Sequence, residues 1–179
     1  MKALMIKGYV AQGLLVLMET KAFPQISIKE IAEKAGVNRS SYYRHFTSKE
    51  DIIRFFFSDI LQEYTQICDT SAPYKMFIQN LFDIFLKYRK ELLLIYKSGI
   101  AHVMIDVLND YFLKNFDDAA ITFEERYRVH WNTGGLYNTC ILWFSGEMKE
   151  IPERMSEIHC DLITHPDDRE FIRKPFLVK

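Results

Sequence analysis

The chain has 179 residues, 49% of them hydrophobic and 26% charged, with seven glycines and five prolines, and this composition favours helices over many short strands. Its net charge is −1, but residues 1–54 carry +4 and the remainder −5, as expected for a basic module that faces phosphates on an acidic body. No segment has the roughly 18 apolar residues that a membrane span needs, and three widely spaced cysteines argue against a disulfide framework.

The first predicted element is an amphipathic helix over residues 3–18. Gln12 interrupts its apolar run and no small-residue cleavage site follows, so we expect a cytoplasmic protein rather than a signal peptide. Phe23-Pro24 ends the helix, because proline lacks a backbone donor and disfavours helical geometry in the residue before it. Residues at three- and four-residue spacing form the apolar stripe: Ile6, Tyr9, Val10, Gly13, Leu14, Leu17 and Met18.

Two short helices joined by a tight turn are predicted next. Ser27 and Glu30 have the spacing of a capping box, which starts a helix over residues 28–35. Gly36 suits the left-handed conformation just past a helix end, and Asn38 can cap a third helix over residues 39–45. This is the pattern of a helix-turn-helix with a polar outer face on its second helix. The residues predicted to form its small core are Ile31, Ala32, Val37, Tyr42 and Phe46.

The rest of the chain predicts longer helices, which makes the fold class all-α. A fourth helix begins at Ser48, with Asp51 in its first turn, and continues to about Ile67. The segment 68–73 is a polar loop. Amphipathic runs follow at 74–88, at 91–116 with a break near Ser98-Gly99, and at 123–148, the last two separated by Asp117-Asp118. Pro152 starts a final helix to residue 164, which Pro166 terminates, and the last thirteen residues form an irregular tail.

The helix-turn-helix and its flanks resemble the TetR family of transcriptional regulators. The resemblance rests on residues 31–37, 42–46 and 48–50 and is dense over about residues 7–57. It implies an N-terminal three-helix DNA-binding domain, residues 1–47, joined by a long fourth helix to a helical dimerisation and ligand-sensing domain, residues 48–179. It also implies a homodimer that binds a palindromic operator on double-stranded DNA, commonly as a repressor, and is released by a small-molecule effector. The alternative is a co-regulator that acts through a protein partner.

The resemblance also assigns roles to the polar residues around the recognition helix. Arg39 and Ser40 are expected to read base edges, since arginine can contact guanine O6 and N7 together. Arg44 points near the groove and ranks below Arg39. The residues expected to contact phosphate or sugar are Ser27, Ser41, Tyr43, His45 and Lys49, although His45 could instead hydrogen-bond within the fold.

Aromatic residues are concentrated in the second part of the chain, where 21 of the 26 follow residue 54. They either line a ligand cavity or fill the core and a dimer interface. A closed pocket above about 300 Å³ would favour a small ligand, whereas an exposed apolar patch without such a pocket would favour a protein partner. The residues predicted to line a ligand pocket are Phe77, Phe85, Tyr88, Tyr96, His102, Met104, Trp131 and Tyr137.

Gly134 and Gly135 lie inside a predicted long helix, where two glycines cost about 2 kcal/mol relative to alanine. We predict that helices cross closely here at a dimer interface that includes Trp143; a helix break is the alternative. The resemblance implies that the last two long helices, residues 123–148 and 152–164, pair with their symmetry mates as a four-helix bundle.

No enzyme motif is present in the chain. A glycine-rich phosphate loop, a nucleophile elbow and a paired-histidine helix are all missing from the sequence. His159, Cys160 and His165 are close together, but their spacing fits no common metal site. We therefore expect no catalytic residues, no metal and no cofactor.

Overall fold

A computed structural model describes residues 2–69, 71–114 and 121–163, and all regular structure within them is helical, which confirms the predicted fold class. Asp117-Asp118, Pro166 and the predicted tail lie outside these residues. In the described ranges, no helix is both long and apolar enough to cross a membrane. The helices are α1 Lys2–Met18, α2 Ile28–Lys34, α3 Arg39–His45, α4 Lys49–Ile67, α5 Tyr74–Lys87, α6 Arg89–Lys97, α7 Val103–Lys114, α8 Phe123–Ser145 and α9 Pro152–Leu162.

The helix ends follow the capping residues. Ser27 and Glu30 form the predicted capping box of α2, and Asn38 caps α3. Ser48 and Asp51 form a second box at the start of α4. The predicted break near Ser98-Gly99 is confirmed, because α6 ends at Lys97 and Gly99 adopts φ +76° before α7 begins. A further box at α8, between Thr122 and Glu125, was not predicted.

The N-terminal helices pack closely around the helix-turn-helix. A Cβ on Gly13 would lie 3.2–3.3 Å from Ala35 and from the carbonyl oxygen of Ile31, so α1 and α2 cross where α1 has no side chain. Gly36 has φ +66° and makes the predicted turn between α2 and α3. Tyr9 was wrongly assigned to the buried stripe, since its side chain is 54% exposed. The buried residues of α1 are Val10, Ala11, Leu14, Leu15 and Met18.

The long helix α4 connects the two parts of the protein. It packs against α1 in the N-terminal part and against α5 and α7 in the C-terminal part. Ile52, Ile53 and Phe57 are buried in its first half, and Tyr64 near its end donates a hydrogen bond to the carbonyl oxygen of Phe77 at 3.0 Å. The same helix therefore begins beside the recognition helix and ends in the core of the C-terminal helices.

The C-terminal helices form one aromatic-rich core. Helix α5 packs against α9, and α7 packs against α8. The Phe82 and Trp143 rings meet edge to face with centroids 5.4 Å apart, and Trp143 donates its indole N–H to the carbonyl oxygen of Glu150 at 3.1 Å. Many of the aromatics therefore pack within the core of the chain, which was one of the two interpretations of their number.

Candidate nucleic-acid interface

Helix α3 is held in place from its buried side. Tyr42 is fully buried and Phe46, just past the helix end, is 3% exposed, with their ring centroids 5.9 Å apart. At the other end, the Asn38 Oδ1 accepts hydrogen bonds from the Ser41 N–H and the Ser40 hydroxyl, both at 2.7 Å. The orientation of the outer face is therefore fixed by packing and capping, before any ligand binds.

That outer face is polar and basic. Arg39, Ser40 and Arg44 are exposed, and the Tyr43 side chain is 60% exposed while its ring rests edge-on against Tyr42. No ion pair to Arg39 or Arg44 occurs in the described part of the chain. The predicted contacts Ser41 and His45 are half-buried at its edge. The structure thus gathers six of the eight predicted DNA-contact residues on one short helix.

Ser27 lies on a different element and is engaged in helix capping. Its hydroxyl donates to Glu30 Oε2 at 2.7 Å and accepts from the Glu30 N–H at 3.3 Å. Lys21 donates to the same carboxylate at 2.7 Å, and these hydrogen bonds lower the pKa of Glu30 to about 2. A carboxylate is therefore ionised beside Ser27, and it would repel a phosphate there.

Lys49, a predicted phosphate contact, makes its hydrogen bonds within the chain. Its Nζ donates to the carbonyl oxygens of Phe23 at 2.7 Å, Ile26 at 2.9 Å and Pro24 at 3.3 Å. The same Nζ lies 4.7 Å from the centroid of the Phe23 ring, which adds a cation–π contact. An ammonium has three donors, and all three have acceptors within the chain. Lys49 therefore fastens the start of α4 to the segment between α1 and α2.

The sequence contained a signal for this contact. A lysine in the first turn of a helix faces the positive end of the helix dipole, which disfavours it unless other groups stabilise the charge.

The buried hydroxyl of Tyr42 was also not foreseen. It has no hydrogen-bond partner among the described residues, and burial raises the pKa of Tyr42 to about 12, so the group stays neutral.

The residues predicted to line a ligand pocket are dispersed. Tyr88 donates to Glu63 Oε2 at 2.6 Å, and the Tyr96 ring packs edge to face on Phe144. Trp131 is 83% exposed. Of the others, Phe77, Phe85 and Met104 are buried in the core, Tyr137 is half-buried and His102 is exposed.

The interior cavity between α5, α8 and α9 is much smaller than the predicted pocket. Its volume is about 20 Å³, and Tyr74, Ile78 and Leu136 are among the residues around it. This is room for about one water molecule. None of the eight predicted residues lies around this cavity, so the structure does not bring them together there, and their role in ligand binding stays a prediction.

Helix α8 carries an exposed apolar face. Tyr127, Trp131, Gly134 or Gly135, and Leu142 recur at helical spacing, and Leu142 is 74% exposed. A Cβ added at either glycine would meet no atom within 4 Å, so protomer packing does not require them. The predicted helix break is absent, since α8 is continuous through both.

Trp143 was assigned to this face wrongly. Its side chain is 2% exposed and lies on the opposite side of α8, against Phe82.

Comparisons with known proteins agree with this architecture. Residues 13–54 match the family model of bacterial regulatory proteins, tetR family. The HTH-type dhaKLM operon transcriptional activator DhaS of Lactococcus lactis subsp. lactis (strain IL1403) is 23% identical over 97 residues, 54% of this chain and 50% of that protein. The match thus spans about half the length of that relative.

Solved structures resemble most of the chain in fold. A dihydroxyacetone kinase operon activator DhaS aligns with a TM-score of 0.56 and 14% identity over 88% of this chain and 93% of that one. A tetR-family transcriptional regulator from Streptomyces coelicolor aligns with a TM-score of 0.51 and 14% identity over 96% of this chain and 91% of that one. The TetR family repressor AlkX from Dietzia sp. strain DQ12-45-1b aligns with a TM-score of 0.50 and 14% identity over 94% of this chain and 96% of that one.

Proposed function

We propose that the chain binds a palindromic DNA operator as a homodimer, which the match of residues 13–54 to the family model of bacterial regulatory proteins, tetR family, supports. The observation that carries this proposal is the outer face of α3, where Arg39 and Arg44 are exposed without ion-pair partners in the described residues. Such a face has the charge and the donors that the major groove requires. The DNA-binding domain comprises residues 1–47, and Ser48 caps the helix that leads out of it.

Arg39 and Ser40 read base edges, and Arg44 lies near the groove wall. Arg39 is the first residue of α3, and side chains at the start of a recognition helix reach deepest into the major groove. Ser41, Tyr43 and His45 contact phosphate or sugar from the sides of the helix. Tyr43 is well suited to this task because its ring is braced by Tyr42 and its hydroxyl is free to donate.

The dimer forms through the exposed face of α8 together with α9. Trp131, Leu142 and Leu162 are more than half exposed in the protomer, an unfavourable arrangement for large apolar side chains in water. Gly134 and Gly135 let a second α8 approach closely at the centre of this face, which offsets their cost in helix stability. The isologous pairing places two α3 helices for two half-sites of opposite direction.

The size of the interior cavity bears on how an effector controls the protein, and the relatives bear on whether the protein represses or activates transcription. An interior cavity of about 20 Å³ does not support release by a ligand enclosed among α5, α8 and α9. Control through a protein partner is the second candidate. Repression requires only that the dimer cover a promoter, whereas one relative is described as a transcriptional activator, which supports activation as the alternative.

The test is selection of bound sequences from a random duplex pool. The wild-type protein is expected to enrich one sequence, and Arg39→Ala/Arg44→Ala is expected to lose that enrichment. Lys29→Ala/Lys34→Ala removes the same charge from the exposed side of α2 and serves as the matched control. Equal enrichment by the wild-type protein and the α3 variant would contradict the proposal, as would no enrichment by any protein.

A further inference from the structure

The exposed face of α8 carries no charged residue over most of its length. Between residues 129 and 146, the helix and its C-cap contain no aspartate, glutamate, lysine or arginine, although Trp131, Asn138 and Leu142 are exposed there. Trp131 is 83% exposed, more than any other large apolar side chain that the structure describes. A helix face that stays in contact with water usually carries charged side chains. We therefore expect another protein surface to cover this face.

The residues on this face are spaced symmetrically about the Gly134-Gly135 pair. Trp131 lies three residues before the pair, and Asn138 lies three residues after it. Tyr127 and Leu142 are each seven residues away, on opposite sides of the pair. When two copies of a helix cross antiparallel around a two-fold axis, residues at equal distances from the crossing point oppose each other. The face is thus complementary to itself for a crossing at the glycines, which makes a second copy of this chain the fitting partner.

A cleft between α8 and α9 lies beside the second glycine. Its volume is about 90 Å³, well above the roughly 10–15 Å³ that a single water molecule needs. Gly135 and Thr139 line the cleft from α8, and Leu162 and Ile163 line it from the end of α9. Gly135 and Thr139 are also neighbours of Asn138 on the helix surface. The cleft is therefore next to the position that the two-fold symmetry places opposite the tryptophan of a second copy.

Two side chains beside the cleft present hydrogen-bond acceptors. The Asn138 amide donates to the carbonyl oxygen of Gly134, and the Thr139 hydroxyl donates to that of Gly135, both at 2.9 Å. These bonds use donors only, and the amide oxygen of Asn138 accepts no hydrogen bond from the described residues. The Trp131 indole N–H likewise has no acceptor in the described part of the chain, and a tryptophan N–H that becomes buried usually finds one.

We propose that the Trp131 indole of each protomer lies in its partner's cleft and donates a hydrogen bond to the partner's Asn138. This contact rests on the proposed function, because it needs a homodimer whose α8 helices cross at the glycines. The missing Cβ atoms of Gly134 and Gly135 let the two backbones approach closely enough for the indole to reach across. Tryptophans near the centre of an interface are among its strongest anchors. The same register places Tyr127 against the partner's Leu142.

Disulfide cross-linking tests the register. The parent protein carries Cys68→Ser and Cys160→Ser, and Cys140 is fully buried and stays. Tyr127→Cys/Leu142→Cys in this parent is expected to form a covalent dimer on mild oxidation. Each single variant is the control and should stay uncrosslinked, since either position lies about 22 Å along the helix from its own symmetry mate, at 1.5 Å per residue. A covalent dimer of either single variant would overturn the antiparallel register.

The anchoring role of Trp131 is tested on the strength of the dimer. Trp131→Ala is expected to raise the dimer dissociation constant about thirtyfold or more. Tyr9→Ala removes an exposed aromatic ring of α1 and is the matched control, with an expected change within about twofold. Equal effects of the two substitutions would contradict an anchor at Trp131.

The hydrogen bond is tested by NMR of the indole N–H groups. The chain has two tryptophans, and Trp143 donates to the carbonyl oxygen of Glu150 in its own chain, so its resonance is an internal control. Asn138→Leu should shift the Trp131 N–H resonance and speed its exchange with water, while the Trp143 resonance stays in place. An unmoved Trp131 resonance would overturn the bond to Asn138.

The mass of the protein in solution separates failure of this contact from failure of the proposed function. A dimer by light scattering whose Trp131 N–H exchanges freely with water, or whose double cysteine variant does not cross-link, would refute the contact and leave the proposed dimer intact. A monomer at every concentration would refute both. Protection of Trp131 in such a monomer would assign the cleft to another segment of the same chain.

Discussion

Arg39 and Lys49 are basic residues at the start of α3 and of α4, but their side chains are placed for different tasks. The Arg39 guanidinium is exposed on the outer face of α3. The Lys49 ammonium is saturated by three backbone carbonyl oxygens. The family resemblance assigned both to DNA, because a matching position on a helix does not show which acceptors the side chain's donors already contact.

Arg39→Ala should weaken binding to the preferred operator by about 1–3 kcal/mol and relax the sequence preference. Arg44→Ala should weaken operator binding by less than Arg39→Ala does, since we place Arg44 nearer the groove wall. The measurement is binding to operator and random duplexes at one salt concentration. Equal losses of Arg39→Ala on both duplexes would contradict its role as a base reader.

Lys49→Met should lower the free energy of unfolding by about 1–3 kcal/mol, because three carbonyl oxygens lose a charged donor. For DNA binding, the slope of the logarithm of the association constant against the logarithm of the salt concentration should stay unchanged. A phosphate contact predicts the reverse, namely unchanged stability and a slope reduced by about 0.9. Lys29→Met, which removes an exposed lysine of α2, is the control for loss of charge alone.

At the level of the helices, the capping boxes that start α2 and α4 make the stability of the N-terminal helices sensitive to acid. Glu30 has a pKa of about 2 against an ordinary 4.5, because the ionised carboxylate accepts hydrogen bonds from Lys21 and Ser27. Hydrogen bonds from Thr47 and Ser48 likewise lower the pKa of Asp51. A depressed pKa in the folded state gives stability above the unfolded value, and this stability is lost as the pH falls through the folded value.

Glu30→Gln should therefore be less stable than the wild-type protein at pH 7, and the difference should shrink from about pH 4.5 and vanish near pH 2. Urea unfolding over this pH range measures it. Glu33→Gln on the same helix is the control, since its ion pair with Lys29, at 3.8 Å, is highly exposed. If the free energies of unfolding of Glu30→Gln and the wild-type protein differ by the same amount at every pH, the carboxylate charge is not involved.

Helix α8 shows where sequence periodicity stops being informative. One side carries Leu136, Cys140 and Trp143 and is buried, while the other carries Trp131 and Leu142 and is exposed. Both sides are apolar, so the pattern could not tell which one faces the protomer core. The sequence analysis therefore placed Gly134 and Gly135 correctly within the helix but assigned Trp143 to the same face, whereas Trp143 lies on the buried side.

If the proposed dimer forms through α8, Gly135→Leu should convert it to a monomer that keeps its helicity. The added side chain meets nothing in the protomer and gains about 1 kcal/mol in helix propensity, but it would obstruct a second α8. Gly8→Leu is the matched control, since Gly8 is an exposed glycine of α1 that also has open space. Light scattering measures the mass of each variant, and a Gly135→Leu dimer would refute the close helix crossing.

For the whole molecule, the sequence predicted the N-terminal part nearly residue by residue and the C-terminal part only as a set of helices. Capping residues and the turn at Gly36 act locally, so α2 and α3 could be placed from the sequence. A cavity depends on how distant side chains meet, and aromatic content does not report that.

The most direct test of the central claim is a hydroxyl-radical footprint of the protein on the sequence that it selects. Two α3 helices in a symmetric dimer should protect two inverted half-sites about 34–36 Å apart, one helical turn or a multiple of it, on one face of the duplex. Gly135→Leu should protect neither at the same concentration. A single protected patch without an inverted repeat would contradict a symmetric dimer that reads DNA through α3.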